Sequence, residues 1–251
     1  MKNVIYFLLI FIVAIFTSCK KELDSEGVSK ITIYPTLTML GDQEILVPLG
    51  TTFTDPGITA FAGTVSLPVT ISVSGIFSNY SGTSIDATAA NKYEITYSAK
   101  NSDGFAGSLT RDVYVAKTGD LVNSIEGLYS STVVRSKVVS PQYQDLHYVL
   151  IWKTGANTYA ISDGIGGYYA IGRNYGPAFM ATGGTITANN IATNSFSFSG
   201  NCVIAGFGLP AVEFNSLAVD PIAKTLTLKT GWQATATTHY DFVITLTQVQ
   251  L

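Results

Sequence analysis

Three patterns of apolar and polar residues follow one another along the chain. From Val4 to Phe16 all thirteen residues are apolar. A helix rising 1.5 Å per residue needs about twenty such residues to cross about 30 Å of hydrocarbon, so this run is too short to span a bilayer. Lys2 and Asn3 precede it and the small residues Thr17 and Ser18 follow it, the layout of an export signal. A buried core helix is the alternative. It fits poorly, because Ile5, Leu8, Leu9, Ile12 and Ile15 leave no polar face for water. From Lys20 to Lys30 the chain is charged, free of aromatic residues and without period, as expected of a flexible tether.

Beyond Ile31 the pattern becomes one of short alternating runs. In "KYEITYSAK", Tyr93, Ile95, Tyr97 and Ala99 fall on one face, and Glu94, Thr96, Ser98 and Lys100 on the other. A period of two describes a strand with one face in a core and one in water. "NSDG" supplies a turn, and a return strand runs through Leu109, Val113 and Val115. Several such strands within residues 31–117 predict a β-sandwich. "AKTGDLVNSIE" breaks the alternation and places a linker at residues 118–125. Residues 126–251 alternate again. "HYVLIWK" puts Tyr148, Leu150 and Trp152 on one face; "NSFSFSG" alternates Phe196 and Phe198 with serines. The closing strands turn Leu226 and Leu228, then Phe242, Ile244 and Leu246, inward. The expected fold is all-β: a sandwich, then an antiparallel barrel-like (lipocalin-like) domain or a curved sandwich.

Composition agrees with strands: only 12% of residues are charged, and the formal net charge is −3. A nucleic-acid partner, which calls for a basic patch, is not expected. The two cysteines, Cys19 and Cys202, lie far apart in sequence. A disulfide between them is one reading, but "SCKKELDSE" contains nothing to hold Cys19 in a fixed geometry. Cys202, between "FSFSGN" and "VIAGFG", reads as a small buried hydrophobe in a strand, with a reactive thiol as the other possibility.

The residues "FTSC" resemble the lipobox of bacterial lipoproteins in its looser Bacteroidota form, with Phe16 where Leu is usual. The resemblance implies a signal peptide over residues 1–18, cleavage before Cys19, and acylation of Cys19. Residues 19–30 then form a tether to a lipid bilayer at the outer membrane. Several acyl chains are needed for a stable anchor, at about 0.8 kcal/mol per buried CH₂. Glu22, Asp24 and Glu26 resemble the surface-export signal of Bacteroidota lipoproteins, which implies the cell surface. "PLGTTFTDPGITA" with "KYEITYSAKNSDGFAGSLTRDVYV" resembles the bacterial immunoglobulin-like domains of surface proteins, and implies that residues 31–117 form such a sandwich. "IEGLYSSTVVR" and "DPIAKTLTL" resemble C-terminal domains of accessory lipoproteins of Bacteroidota glycan-uptake systems. That resemblance implies a glycan-binding accessory of a polysaccharide-uptake system, with glycan as partner; the alternative is a structural or adhesion lipoprotein that contacts a protein partner such as an outer-membrane transporter component.

No catalytic constellation emerges, so a non-enzyme is expected, with neither cofactor nor metal. His147 and His239 each head a strand, half in water at an edge, without metal-ligand spacing. The runs "GIGGYYAIG" and "GFGLPA" lack the Lys-Ser/Thr ending of a phosphate loop. Asp145, Asp163, Glu213, Asp220 and Asp241 are the carboxylates of the C-terminal part. Asp163 and Asp220 occupy turn positions, and a glycosidase dyad such as Asp163 with Glu213 is the enzymatic alternative. Asp103 in "NSDG" reads as a turn residue rather than a calcium ligand.

The remaining signal is aromatic. "DGIGGYYAIGRNYGPAF" sets Tyr168, Tyr169, Tyr175 and Phe179 among glycines, beside Arg173 and Asn174. Exposed flat rings with polar neighbours suit sugars, whose apolar face stacks on the ring while amides and charges bond the hydroxyls. Trp152 and Trp232 extend such a platform. The competing reading places the same tyrosines inside the barrel, where glycine makes the bends.

Overall fold

The computed structural model describes residues 31–208 and 210–251. The export segment, Cys19 and the tether lie outside the described residues. The N-terminal domain is a sandwich of two sheets. Strands β1 (Thr36–Met39), β3 (Ile58–Ala62) and β4 (Val65–Ser66) form one. Strands β2 (Glu44–Pro48), β8 (Ala106–Ala116), β7 (Asn91–Lys100), β5 (Val69–Gly75) and β6 (Ser81–Gly82) form the other, in that order. The alternation of "KYEITYSAK" is the alternation of burial in β7, where Tyr93, Ile95, Tyr97 and Ala99 are buried. With Val47, Val73, Val113 and Val115 they make the sandwich core.

That core holds one ion pair that nothing in the strand pattern announces. Arg111, on β8, is fully buried and ion-paired with Asp55. Its Nε donates to the Asp42 carbonyl at 3.0 Å, and its Nη2 to the carbonyls of Leu40 and Gly57. The Tyr97 hydroxyl donates to Asp55 at 2.7 Å. Asp55 Oδ1 also accepts the Gly57 amide at 3.1 Å, closing the Asp-Pro-Gly turn. A buried guanidinium is tolerated because its donors are met by one carboxylate and several carbonyls. The pair joins the early loops to β8 without a disulfide.

The C-terminal domain is one eight-stranded antiparallel sheet. Its strands are β9 (Gly127–Arg135), β10 (Leu146–Lys153), β11 (Thr158–Ile161), β12 (Ala181–Asn190), β13 (Ser195–Ile204), β14 (Val212–Asp220), β15 (Thr225–Thr235) and β16 (Thr238–Gln248). Each pairs with its sequence neighbour except β13 with β14, and β16 returns to pair with β9. The result is an up-and-down barrel, nearly closed, with a seam between β13 and β14. Asn194 Oδ1 accepts the Val219 amide across that seam at 2.7 Å, and Phe198 stacks on Phe214 at 5.6 Å. Gly184 lies beneath the Phe214 ring, where a Cβ would come within 2.1 Å of it.

The barrel interior is filled by alternate residues of every strand, among them Tyr129, Val149, Ile186, Leu228, Phe242 and Ile244. Each side chain of that size contributes roughly 1.5–3 kcal/mol on full burial. Residues 118–126 close one end rather than hanging free: Leu121 and Ile125 are buried in the same core, and Gln248 Nε2 donates to the Gly119 carbonyl at 2.8 Å.

The two domains share a second apolar cluster. Tyr114 and Ala116, on the outer face of β8, meet Leu128 and Leu150 of the barrel. Tyr114 packs edge-on against Tyr148 at 5.1 Å. This explains why "HYVLIWK" is apolar on both faces. Val149 and Ile151 enter the barrel, while Tyr148, Leu150 and Trp152 turn toward the sandwich domain.

Candidate functional site

The glycine-rich segment between β11 and β12 crosses the other end of the barrel. It is a run of turns ending in a short 3-10 turn, Pro177–Phe179. Gly166 and Gly167 adopt positive φ, 67° and 82°, and a Cβ on Gly166 would strike Ser131 and Ile244. Glycine therefore lets this backbone enter the barrel mouth.

The structure separates the two readings of the aromatic residues ring by ring. Tyr168 (3% exposed), Tyr169 (4%) and Trp232 (2%) belong to the barrel core. As members of an exposed platform they are corrected: their burial among Phe242, Phe207 and one another outweighs any solvent-facing position. Trp232 Nε1 donates to the Pro210 carbonyl at 3.0 Å, so the indole is satisfied in place. Tyr175 is 46% exposed and stacks at 6.2 Å from Tyr169. Asn174 is exposed with φ 56°, a left-handed position that asparagine tolerates better than most residues. Arg173 is half-buried, with its guanidinium carbon 5.5 Å from the ring centroids of both Tyr168 and Tyr169.

Trp152 lies apart from this cluster. It stacks on Phe77 of the sandwich domain, with centroids 5.9 Å apart and planes 13° off parallel. The pair lines an open cleft of about 500 Å³ between the domains, with Ser78 and Asn79 on one side and Met180 and Thr182 on the other. The cleft loop is held from within: buried Asn91 accepts the Phe77 amide at 2.9 Å and donates to Ser78 Oγ at 2.8 Å. Phe77 and its neighbours escaped the sequence reading because "GIFSNYSG" looks like any polar turn. Only the domain arrangement brings it against β10.

Asp163 and Glu213 do not form a carboxylate pair. Asp163 is fully buried; its Oδ1 accepts the amides of Ile165 (2.9 Å) and Ala181 (3.2 Å), while Oδ2 has no partner. Burial raises its pKa to about 7, against the lowering effect of those amides and of the Gly167 amide. It is thus more than a turn residue. Glu213 is exposed on β14, outside the cleft between the domains. Asp220 caps its turn by accepting the amides of Ile222 and Ala223. Cys202 is buried, with its thiol pushed up to about 12 chiefly by burial and then by Asp163. His147 and His239 are half exposed near the starts of β10 and β16, interior strands of the sheet rather than edges. Among the described residues no three His, Cys, Asp or Glu side chains converge as a metal site.

The described residues thus form an immunoglobulin-like sandwich packed against a plugged eight-stranded barrel. A family model described as "Bacterial surface protein, Ig-like domain" matches residues 37–115. A second, described as "-like, C-terminal domain", matches residues 118–248. The chain belongs to the family of that C-terminal domain, which covers more than half of it. Its fold is also that of the crystal structure of the lipoprotein BT2262 from Bacteroides thetaiotaomicron, with a TM-score of 0.62 and 24% identity. That match covers 86% of this chain and 100% of the other. No curated protein matches the chain in sequence.

Proposed function

We propose that this protein is a non-catalytic lipoprotein of the outer membrane, anchored through acylated Cys19 and facing the cell surface, that binds a glycan in the cleft between its domains. The observation that carries the reading is the Phe77–Trp152 pair in a cleft of about 500 Å³, flanked by Ser78, Asn79 and Thr182. Small-molecule sites span about 300–1,000 Å³ and combine apolar walls with a few convergent polar groups. A pyranose ring fits that pattern, its C–H face on the aromatic edge and its hydroxyls toward the amide and hydroxyls. The lipid anchor is supported by the "FTSC" motif and by the lipoprotein name of the structural relative. The immunoglobulin-like domain acts as a spacer that also supplies one wall of the cleft.

Titration of the full chain, purified in detergent, against hits from a glycan array tests this. Replacing Trp152 or Phe77 with Ala is expected to weaken binding at least about tenfold, the loss of about 1.4 kcal/mol of stacking. Binding unchanged in both variants removes the cleft as the site, and an array without hits removes the function. An outer-membrane transporter component that co-purifies stoichiometrically, in the absence of any glycan ligand, would instead identify a protein partner.

A further inference from the structure

Two arginines approach one ring at the plugged end of the barrel, and among the described residues neither is ion-paired with a carboxylate. Arg135 ends β9; Arg173 comes from the glycine-rich plug. Their guanidinium carbons lie 4.7 Å and 5.5 Å from the centroid of the same ring, Tyr168. Arg135 also sits 4.5 Å from the Tyr240 centroid. Their hydrogen-bond partners are phenol hydroxyls: Arg135 Nη1 donates to the Tyr169 hydroxyl at 3.2 Å, and Arg173 Nε donates to the Tyr143 hydroxyl at 3.2 Å. Asp145, just before β10, and Asp241, on β16, belong to the segments flanking β9; they lie within 4 Å of His147 and His239 and form no ion pair with either arginine.

Such an arrangement carries an electrostatic cost. Two like charges close to one ring repel, and partial burial strengthens the repulsion by removing water. The local field reaches the phenols. Burial raises the Tyr143 pKa, but hydrogen bonds from Tyr168 and Arg173 and the charges of Arg173 and Arg135 together bring it below its ordinary value. Tyrosine faces offset part of the cost through cation–π attraction. They leave most of the N–H donors of two planar forks without an anionic acceptor, and a carboxylate or sulfate matches that fork geometry.

We infer that Arg135 and Arg173, framed by Tyr143, Tyr168, Tyr169 and Tyr240, form an anion-binding site at the barrel end. Its ligand is the acidic group, carboxylate or sulfate, of a charged saccharide. The anion neutralises both guanidiniums, and the exposed Tyr175 ring beside them gives the sugar an apolar face. The carrier of the anion rests on the glycan reading; the anion site does not. It gives the protein a second contact, separate from the neutral, aromatic cleft, and selects acidic over neutral polymers.

The test titrates the full chain with an oligouronide, a sulfated oligosaccharide, the neutral oligosaccharide of equal length, and inorganic sulfate, all at matched ionic strength. At least one acidic saccharide is expected to bind about tenfold or more tighter than the neutral one, with an affinity that falls as salt rises. Arg135→Gln and Arg173→Gln are each expected to abolish that preference while leaving neutral binding unchanged. Inorganic sulfate is expected to compete with the acidic saccharide on the unaltered protein, a readout that survives if either variant fails to fold. Equal binding of acidic and neutral saccharides, a preference that persists in both variants, or failure of sulfate to compete overturns the site. If no saccharide binds, sulfate alone decides. A raised unfolding midpoint that is lost in the variants upholds the anion site and discards the glycan carrier; no rise discards both.

Discussion

Asp163 makes the stability of the barrel depend on pH in an unusual direction. Its carboxyl is fully buried, with Oδ1 bonded to two amides and Oδ2 without a partner. Its pKa in the folded protein is about 7, against about 3.9 in an unfolded chain. The folded state therefore holds a proton that the unfolded state releases between about pH 4 and pH 7. Where the native state binds more protons, stability falls as pH rises, so the group's contribution is complete below about pH 4 and is lost as pH passes 7. Three pKa units at about 1.4 kcal/mol each set the loss at about 4 kcal/mol at most. Asp163→Asn retains the Oδ1 acceptor and removes the titration. The stability of the variant relative to the parent is expected to rise by up to about 4 kcal/mol between pH 4.5 and pH 8 (~1.4 kcal/mol per unit), then level off. Urea denaturation followed by tryptophan fluorescence measures it cleanly, because both tryptophans, Trp152 and Trp232, lie in the barrel domain. Every other titrating group is common to the two proteins and cancels in the difference. A difference that stays constant across that range refutes the reasoning and shows that Oδ2 is hydrated or paired.

Other consequences are sharper but simpler. Asp55→Ala leaves the Arg111 guanidinium buried without its counter-charge and is expected to destabilise the sandwich domain by about 3–5 kcal/mol in chemical denaturation. Gly184→Val drives a side chain into the Phe214 ring at the seam and is expected to lower the barrel's melting temperature by several degrees, about 1–3 kcal/mol of overpacking. Cys202, buried with its thiol at about 12, is expected to resist a disulfide reagent at pH 8 in the native protein and to react at once in denaturant. Cys19→Ala is expected to move the protein from the membrane to the soluble fraction, and mass spectrometry of the parent to show acyl chains on the first mature residue.

The strands were legible because a half-buried strand writes its burial into alternate residues. β7 and β16 read straight from "KYEITYSAK" and "FVITLTQ", and the inward positions Leu226, Leu228, Phe242, Ile244 and Leu246 are those of the barrel core. β10 was harder to interpret, since "HYVLIWK" shows two apolar faces and a single chain segment cannot say that the second one meets another domain. The aromatic segment was ambiguous for a related reason. Tyrosines among glycines have the same composition whether the backbone wraps the barrel's surface or enters its mouth. The residues of the cleft and of the arginine pair come from loops remote in sequence, so no local pattern could join Phe77 to Trp152, or Arg135 to Arg173.

By itself, then, the sequence determined what depends on local chemistry: the strand faces, the turns, the all-β class in two parts, and a cysteine set at a polarity break. Period-two burial and turn preferences act over a few residues and leave their mark there. The tertiary structure alone decided which apolar faces meet and which rings are buried. It decided that Asp163 lies in the core and that Arg111 finds a carboxylate while Arg135 and Arg173, among the described residues, pack on tyrosine rings instead. Those outcomes depend on packing between segments tens of residues apart, where the environment of a side chain is set by its neighbours in space rather than along the chain.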